Sequence, residues 1–282
     1  MPSASAAASA GPVDAGNADA EAAEDEAVAE ELQVHHRHEH TGFAGFVISS
    51  VDTVGAGPEQ QAAIDTFRKE FHTKMKPVHE ANIAMLGTLA DGIAAGTIDK
   101  AKVDAAIAKT AAAATAAHPA LNELLMQLHA TLRPEQRAAL VDKVDAHFAT
   151  WREANEHPID PTKPDHHVKH ITKELGLSKD QVEKFKANLA AEKEPKKPFE
   201  AAAFESYVKA FDTEFATDKF DAKKLPPAGP GSSAIITRGA ERMAAFYEAL
   251  VPVLTPEQRP TLADKVRAHA EKAEKAEKKE KK

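Results

Sequence analysis

Two histidine clusters are the part of this sequence whose residue types and spacing could do chemistry. The clusters read HHRHEH and HHVKH, and they contain His35, His36, His38, His40 and His166, His167, His170. Neutral imidazole is a ligand for zinc, nickel and copper, and three or four imidazoles could together hold one ion with modest affinity. The sequence therefore predicts zinc or nickel binding at these clusters. A solvated polar run is the alternative, as is a purification remnant, although interleaved Arg and Glu are not typical of a tag.

No arrangement of residues in the chain points to catalysis. There is no cysteine, which excludes a thiolate nucleophile, a zinc–thiolate site and a disulfide framework. The sequence also lacks a glycine-rich phosphate loop, an H-E-x-x-H motif and a G-x-S-x-G motif. Its carboxylates have lysine neighbours on helix faces that we expect to be exposed, unlike the apolar setting of a general acid. We expect that the protein is not an enzyme and requires no cofactor.

The excess of one sign of charge is found at the two ends of the chain. Of 282 residues, 36 are Lys or Arg and 44 are Asp or Glu, which gives a net charge of −8. Residues 1–34 contain eight acidic and no basic residues, and such an Ala- and Ser-rich acidic tail is predicted to be disordered. Residues 271–282 form a charged Lys/Glu tail. The remainder is close to neutral, which does not favour a nucleic-acid partner.

An internal repeat divides the rest of the chain. Residues 132–147 read LRPEQRAALVDKVDAH and residues 254–269 read LTPEQRPTLADKVRAH, with 11 of 16 positions identical at an offset of 122. Upstream, AGPEQ at 56–60 corresponds to LSKDQ at 177–181. We predict two tandem helical units, 35–157 and 166–270, joined by a proline-rich linker at 158–165.

Each of the four motifs is predicted to begin a helix. In LTPEQ, Thr255 can act as the N-cap, Pro256 takes the first helical position and Gln258 completes a capping box. LSKDQ supplies the same box, whereas glycine or arginine stands at the cap of the other two motifs. The residues assigned to the motifs and to capping are Gln60, Leu132, Gln136, Ser178, Gln181, Leu254, Thr255 and Gln258.

Apolar residues recur at helical spacing after each motif. From Ile64 to Ile93 they are spaced by three or four, which predicts one long amphipathic helix bent at Pro77. The next segment, 103–128, is expected to be interrupted at His118-Pro119. In the second unit, the prolines at 195 and 198 break the corresponding stripe, and 233–250 forms a later helix. The pattern predicts an all-α fold with three or four helices in each unit.

The paired L-[TS]-x-x-Q motifs resemble those of the Spy/CpxP family of periplasmic stress proteins. LTPEQ matches fully, LSKDQ has Ser for Thr, and the motifs at 56–60 and 132–136 are degenerate. That family includes ATP-independent chaperones and zinc- or nickel-responsive proteins, and its members form antiparallel, cradle-shaped homodimers. The resemblance implies that two tandem long-helix hairpin units here form an intramolecular, cradle-like pseudo-dimer, which could self-associate further.

The resemblance also implies an activity, which is nucleotide-independent binding of unfolded or partly folded client proteins on a concave, partly apolar face. Charged side chains would attract a client and weak apolar contacts would hold it. The candidate client-binding residues are Met75, Met85, Met126, Phe199, Phe204, Phe211, Arg68, Lys69, Lys74 and Lys76. An ordinary core position is the alternative for each Met or Phe. The second function hypothesis is a heavy-metal-binding or metal-responsive stress protein that uses the histidine clusters.

A periplasmic location follows from the same resemblance. Residues 1–34 have neither the basic nor the apolar region of a signal peptide, so either the protein is cytoplasmic or its signal has been cleaved or left out. With a periplasmic location, the tail could lead to a lipid anchor. There is no run of 18 apolar residues, so no transmembrane segment is expected. A third hypothesis is a structural or assembly protein whose charged C-terminal tail contacts an anionic surface.

Overall fold

The computed structural model describes residues 42–156, 166–191, 201–228 and 230–280. Within these ranges every regular element is a helix, so the predicted all-α class is confirmed. The acidic tail 1–34, the first histidine cluster, the linker 158–165 and Phe199 lie outside the described residues. None of the helices in the described ranges is long and apolar enough to cross a bilayer.

Nine α-helices make up the described chain. Their bounds are α1 Gly42–Val51, α2 Pro58–Ala95, α3 Lys100–Thr131, α4 Pro134–Glu156, α5 His166–Leu175, α6 Lys179–Ala191, α7 Ala201–Phe215, α8 Pro230–Leu250 and α9 Gln258–Glu280. Short 3₁₀ turns at Ala222–Lys224 and Val251–Val253 precede α8 and α9.

Both long helices of the first repeat continue through a proline. α2 is a 38-residue helix that includes Pro77, and α3 includes Pro119, so the predicted interruption at His118-Pro119 is wrong. A proline removes one backbone hydrogen bond and crowds the carbonyl four residues earlier. Both prolines are exposed, so the freed carbonyls can face water. Buried residues on each side of Pro119, such as Ala114 and Leu124, keep α3 packed as one helix.

The turn between α2 and α3 is formed at Gly96. This residue has a φ of 76°, in the left-handed region that glycine adopts without strain, and it ends α2. The Thr97 N–H donates to the Gly92 carbonyl at 3.0 Å. The carboxylate of Asp99 then caps α3 by accepting from the Lys102 N–H at 3.2 Å. α2 and α3 consequently pack side by side as a long hairpin.

Helices of the two sequence repeats pack against each other and share two hydrophobic cores. α9 packs along α2, α4 packs against α7, and α3 packs against α8. The first core joins the N-terminal half of α2 to the end of α3 and to α1, α4, α7 and the start of α8. The second core joins the C-terminal half of α2 to the start of α3 and to α5, α6, α9 and the rest of α8. Each core therefore contains residues of both repeats.

Polar side chains separate the two cores along three helices. On α2 the buried stripe passes from Val78 in the first core to Met85 in the second through Asn82, which is 5% exposed. Thr110 on α3 and Arg238 on α8 also lie between residues of the first core and residues of the second, and both are buried. Apolar burial is thus interrupted where the cores meet, and each core is closed on its own side of this polar layer.

The sequence pattern did not predict α1. Almost every position of this ten-residue helix is buried, so it shows no helical period. The ring of Phe43 lies 4.8 Å from that of Phe211 and 5.0 Å from that of Tyr207. α1 therefore fills the first core between α4, α7 and α8.

Candidate functional site

The glutamines of the first two motifs bind each other. Gln60 opens α2 and Gln136 opens α4, and both side chains are buried. Nε2 of Gln60 donates to Oε1 of Gln136 at 2.8 Å, and Nε2 of Gln136 donates back to Oε1 of Gln60 at 3.0 Å. Two residues 76 positions apart in sequence thereby hold the starts of two helices together.

The remaining hydrogen-bonding groups of this amide pair are also satisfied. Oε1 of each glutamine accepts the N–H of the residue that caps its own helix, Gly57 at 3.0 Å and Arg133 at 2.9 Å. The second N–H of Gln60 goes to the Thr131 carbonyl at 2.7 Å, at the end of α3. That of Gln136 goes to a carbonyl in the loop before α2. The motif glutamine is therefore both a helix cap and a tie that closes the open end of the α2–α3 hairpin.

The second pair of motifs repeats this arrangement with half-buried side chains. Nε2 of Gln181 donates to Oε1 of Gln258 at 2.7 Å and to the Val253 carbonyl at 2.8 Å. Nε2 of Gln258 donates to the Leu175 carbonyl, at the end of α5, at 3.0 Å. Leu132 and Leu254, which begin the second motif of each repeat, are buried in the first and second core respectively.

Of the two hydroxyl groups predicted to cap helices, that of Ser178 does so and that of Thr255 does not. The Ser178 hydroxyl accepts the Gln181 N–H at 3.3 Å, and Oε1 of Gln181 accepts the Ser178 N–H at 2.9 Å, which is the complete capping box. At Thr255 the Gln258 N–H instead reaches the backbone carbonyl, at 3.1 Å. The Thr255 hydroxyl bonds the Glu257 side chain and so lowers the pKa of that carboxyl. The predicted hydroxyl-to-amide cap at Thr255 is therefore replaced by a backbone one.

An arginine follows the glutamine in the second motif of each repeat, and its role was missed from the sequence. Arg137 donates to the Leu132 carbonyl at 2.9 Å and to the Thr217 carbonyl, in the turn after α7, at 3.2 Å. The equivalent Arg259 lies against Gly96, where an added Cβ would meet its guanidinium. Each arginine thus contacts a hairpin turn of the other repeat. The identity of positions 137 and 259 in the aligned repeats was the available signal.

Most of the apolar residues predicted to contact clients are core residues. Met75, Met85, Phe204 and Phe211 are each 0% exposed. Met85 belongs to the second core and the other three to the first. Because packing against both repeats covers these side chains completely, a client cannot reach them in this conformation, and the prediction of an open apolar face at these positions is corrected.

The remaining candidates lie at the surface. Met126 is 39% exposed and is the one large hydrophobic side chain classed as exposed in the described ranges. Lys69 and Lys74 are exposed, and Lys76 pairs with Glu80 at 3.4 Å. Arg68 is paired with Asp52. Lys69 and Lys74 therefore remain available to a partner on the outer face of α2, whereas Arg68 and Lys76 already have an acidic partner.

Beneath α7 lies an aromatic cluster, defined here as Phe43, Phe148, Phe204, Tyr207, Phe211 and Phe215. Ring centroids are 4.9 Å apart for Phe148–Phe204 and 4.7 Å for Phe211–Phe215. The buried Tyr207 hydroxyl donates to Oδ1 of Asn122 at 3.3 Å, and burial raises the pKa of that hydroxyl. The cavity beside it, about 30 Å³, has room for only a water molecule or two. This cavity is therefore too small for a ligand larger than a few atoms.

Two antiparallel helix pairs carry charged contacts between the repeats. We call α4 with α7 the first seam and α2 with α9 the second seam. In the first seam Arg152 donates to Glu205 at 2.6 Å. Because the two helices are antiparallel, Asp145 and Asp212, each seven residues from this pair, lie opposite each other, and the Asp145 charge acts on the Asp212 carboxyl. In the second seam Arg267 donates to Asp91 at 2.9 Å. The two seams therefore differ in charge at one contact.

Of the seven histidines in the two clusters, the structure describes only the side chain of His170. The first cluster and the side chains of His166 and His167 lie outside the described residues. His170 is exposed on α5, with Nδ1 3.5 Å from the Glu174 carboxylate. Among the residues the structure does describe, no group of three or more His, Cys, Asp or Glu side chains is arranged to hold a metal ion.

Residues 50–143 match the profile of a family described as LTXXQ motif family protein. The matched stretch is 94 of 282 residues, about a third of the chain, and contains the Gln60–Gln136 pair. This similarity supports the Spy/CpxP-type resemblance for the first repeat. No curated protein and no solved structure shows a significant match to the chain.

Proposed function

We propose that this protein is an ATP-independent, chaperone-like protein of the periplasm that binds unfolded or partly folded clients. The observation that carries the proposal is the similarity of residues 50–143 to the LTXXQ family, within which the two motif glutamines pair. We also infer that the repeats act as a fused pseudo-dimer, because each core is built from helices of both.

The closed conformation dictates how a client would be bound. The apolar residues predicted for the task are buried, so an apolar binding surface has to form by separation of a helix. α7 is the helix whose separation would uncover most of the aromatic cluster, since it supplies Phe204, Tyr207, Phe211 and Phe215. Exposed lysines on α2 would attract the client first, and the uncovered rings would then hold it.

Separation of α7 would open the first core without global unfolding. The helix has 15 residues, and an isolated helix of about that length is only marginally stable in water, so its order depends on packing. Local opening of such a unit costs less free energy than global unfolding. Charged contacts of the first seam, such as Arg152–Glu205, close over the rings from outside.

Cross-linking the first seam tests this proposal. The chain contains no cysteine, so R152C and E205C can be introduced together and joined with a short bismaleimide. The matched control joins D91C to R267C across the second seam, where an ion pair of similar geometry is replaced. Suppression of aggregation of a reduced or denatured client is measured without ATP.

We expect the unmodified protein and the second-seam cross-link to suppress aggregation at equimolar ratio. The first-seam cross-link should lose most of that activity, and the same double variant left unlinked should retain it. No suppression by the unmodified protein at any ratio would overturn the chaperone proposal. Equal suppression by both cross-linked proteins would overturn the assignment of the client surface to the rings beneath α7.

Metal binding is a second candidate, favoured by the placement of the second cluster. α5 begins at His166, so His166 and His170 occupy i and i+4 positions of one helix. We propose that zinc or nickel binds there or at the first cluster. Titration of each metal against the wild-type chain and a variant with all seven cluster histidines changed to Ala should show affinity only in the former. Equal affinity in both would contradict metal binding at these clusters.

A further inference from the structure

The two seams carry different charges at equivalent positions of the repeat. Asp145 and Arg267 align at the offset of 122, on α4 and α9. Arg267 donates to Asp91 of α2 at 2.9 Å, which is a complementary ion pair. Asp145 instead faces Asp212 of α7, so two acids meet where the other seam has an acid and a base.

The surroundings of Asp212 make this contact dependent on a proton. Asp212 is half-buried, and its Oδ1 is fully covered with no hydrogen-bond donor among the described residues. Two ionised carboxylates that face each other across the seam repel, whereas one proton shared between them can form a hydrogen bond there. The contact therefore holds α4 to α7 only while one of the two groups is protonated.

Other charged groups near the seam do not neutralise the pair. Asp142 is the further charge that acts on Asp145, and it is also acidic. Arg152 bonds Glu205 and Lys224 bonds Glu214. Lys143 of α4 and Lys209 of α7 form no ion pair within the described part of the chain. The charged or titratable residues of the other elements packed on α7 are Arg238, Glu241, Arg242 and Glu248 of α8, Lys223 of the 3₁₀ turn, and His118 and His129 of α3, whose rings contact Tyr207 and Phe215, while α1 contributes none.

We propose that Asp145 and Asp212 form a proton-dependent contact that keeps the first seam closed at acidic pH and allows α7 to separate above neutral pH, uncovering the aromatic cluster. The consequence for clients rests on the proposed function. The opening of the seam does not, because it is a property of these two carboxyl groups alone.

The direction of the pH dependence follows from the protonation states. Burial raises the pKa of Asp212 to about 7 from its ordinary value of 3.8, and the Asp145 charge adds to the rise. An acid that binds its proton more tightly in the folded state stabilises that state fully below its ordinary pKa and loses this effect as the pH rises through the raised value. The first seam should therefore weaken steadily from about pH 4 to about pH 7 and level off by about pH 8.

Amide hydrogen exchange tests the proposal directly. Protection factors, corrected for the intrinsic pH dependence of exchange, are measured for 204–215 of α7 at pH 6 and pH 8, with the α9 segment 262–270 of the second seam as internal control. We expect α7 protection to fall roughly tenfold, since each pH unit beyond the pKa changes the protonated fraction about tenfold. Protection of α9 should stay constant.

Three variants test whether the two carboxyl groups cause the pH dependence of α7 protection. D145R places at the first seam the residue type found at position 267, and it should abolish the pH dependence of α7 protection. D212N, which keeps the side-chain size and removes the titrating group, should do the same and serves if D145R does not fold. D145N should reduce the fall without removing it, because burial still raises the pKa of Asp212. No fall in the wild-type protein, an equal fall at α9, or an unchanged fall in D145N and D212N would each overturn the proposal.

A client assay at the same two pH values separates this inference from the proposed function. If seam opening is pH-dependent and client aggregation is suppressed nowhere, the chaperone proposal fails and the carboxyl contact stands. If clients are protected equally at pH 6 and pH 8 while α7 protection does not change, the carboxyl proposal fails and the chaperone proposal stands.

Discussion

The side-chain amides of Gln60 and Gln136 hydrogen-bond each other in both directions, at 2.8 and 3.0 Å, in a buried position between two helix starts. Each amide also accepts the N–H of its own helix cap and donates to a carbonyl of a neighbouring segment. All hydrogen-bonding groups of the two amides have partners, so removing one glutamine leaves the other with unsatisfied buried groups and lowers stability.

Gln60→Ala should lower the free energy of unfolding by about 2 kcal/mol, because Gln136 is left buried without its partner. Gln61→Ala is the matched control, since Gln61 is exposed and bonds only Asp65, and it should change stability by less than about 0.5 kcal/mol. Urea unfolding measures both. In Q60A/Q136A the loss should be smaller than the sum of the losses in Q60A and in Q136A. Strict additivity would show that the amides do not interact energetically.

Substitution of Gly96 should destabilise the hairpin turn. Gly96→Ala places a side chain at φ 76°, a conformation that costs an L-residue about 1–2 kcal/mol, and it displaces the Arg259 guanidinium. Gly87→Ala is the control, because Gly87 lies inside α2 with nothing near an added Cβ, and it should stabilise by about 0.5–1 kcal/mol. Thermal unfolding of both variants distinguishes the two effects, and equal shifts in Tm would contradict this account of the turn.

Phe211 should behave as a core residue. Phe211→Ala removes a ring from the aromatic cluster and should lower the free energy of unfolding by about 3–5 kcal/mol. Met126→Ala, at an exposed position, should change it by less than about 0.5 kcal/mol. Chemical denaturation compares the pair. A stable Phe211→Ala protein that lost only client binding would restore the original assignment of Phe211 to an open surface.

His129 should make stability sensitive to acid. Burial lowers the pKa of this histidine, and its Nε2 lies 2.8 Å from the Thr217 carbonyl, so the neutral ring donates that hydrogen bond. A lowered histidine pKa gives stability that is complete above the ordinary value of 6.5 and is lost as the pH falls through the lowered one. The wild-type protein should therefore be more stable than H129Q by a margin that shrinks between pH 7 and pH 5. A margin that does not vary with pH would contradict this role of the ring.

The features that the sequence predicted correctly are those that depend on local interactions. The four motifs mark helix starts because caps use hydrogen bonds within three residues, and the stripe from Ile64 to Ile93 specifies α2 because helix period is a local property. The prediction that α3 is interrupted at Pro119 was wrong, because packing on both sides of the proline outweighs one lost backbone hydrogen bond. α1 was missed because a helix buried on nearly all sides has no period to detect.

The sequence by itself determined most of the helices and the motif glutamines, since caps and helix period depend on neighbours a few residues away, and it showed the repeat directly as residue identities. Only the tertiary structure decided which apolar residues are covered, that Gln60 meets Gln136, and that Asp145 faces an acid where Arg267 faces Asp91. These contacts join segments from 67 to 176 residues apart, and their pairing is set by the burial of both repeats in shared cores.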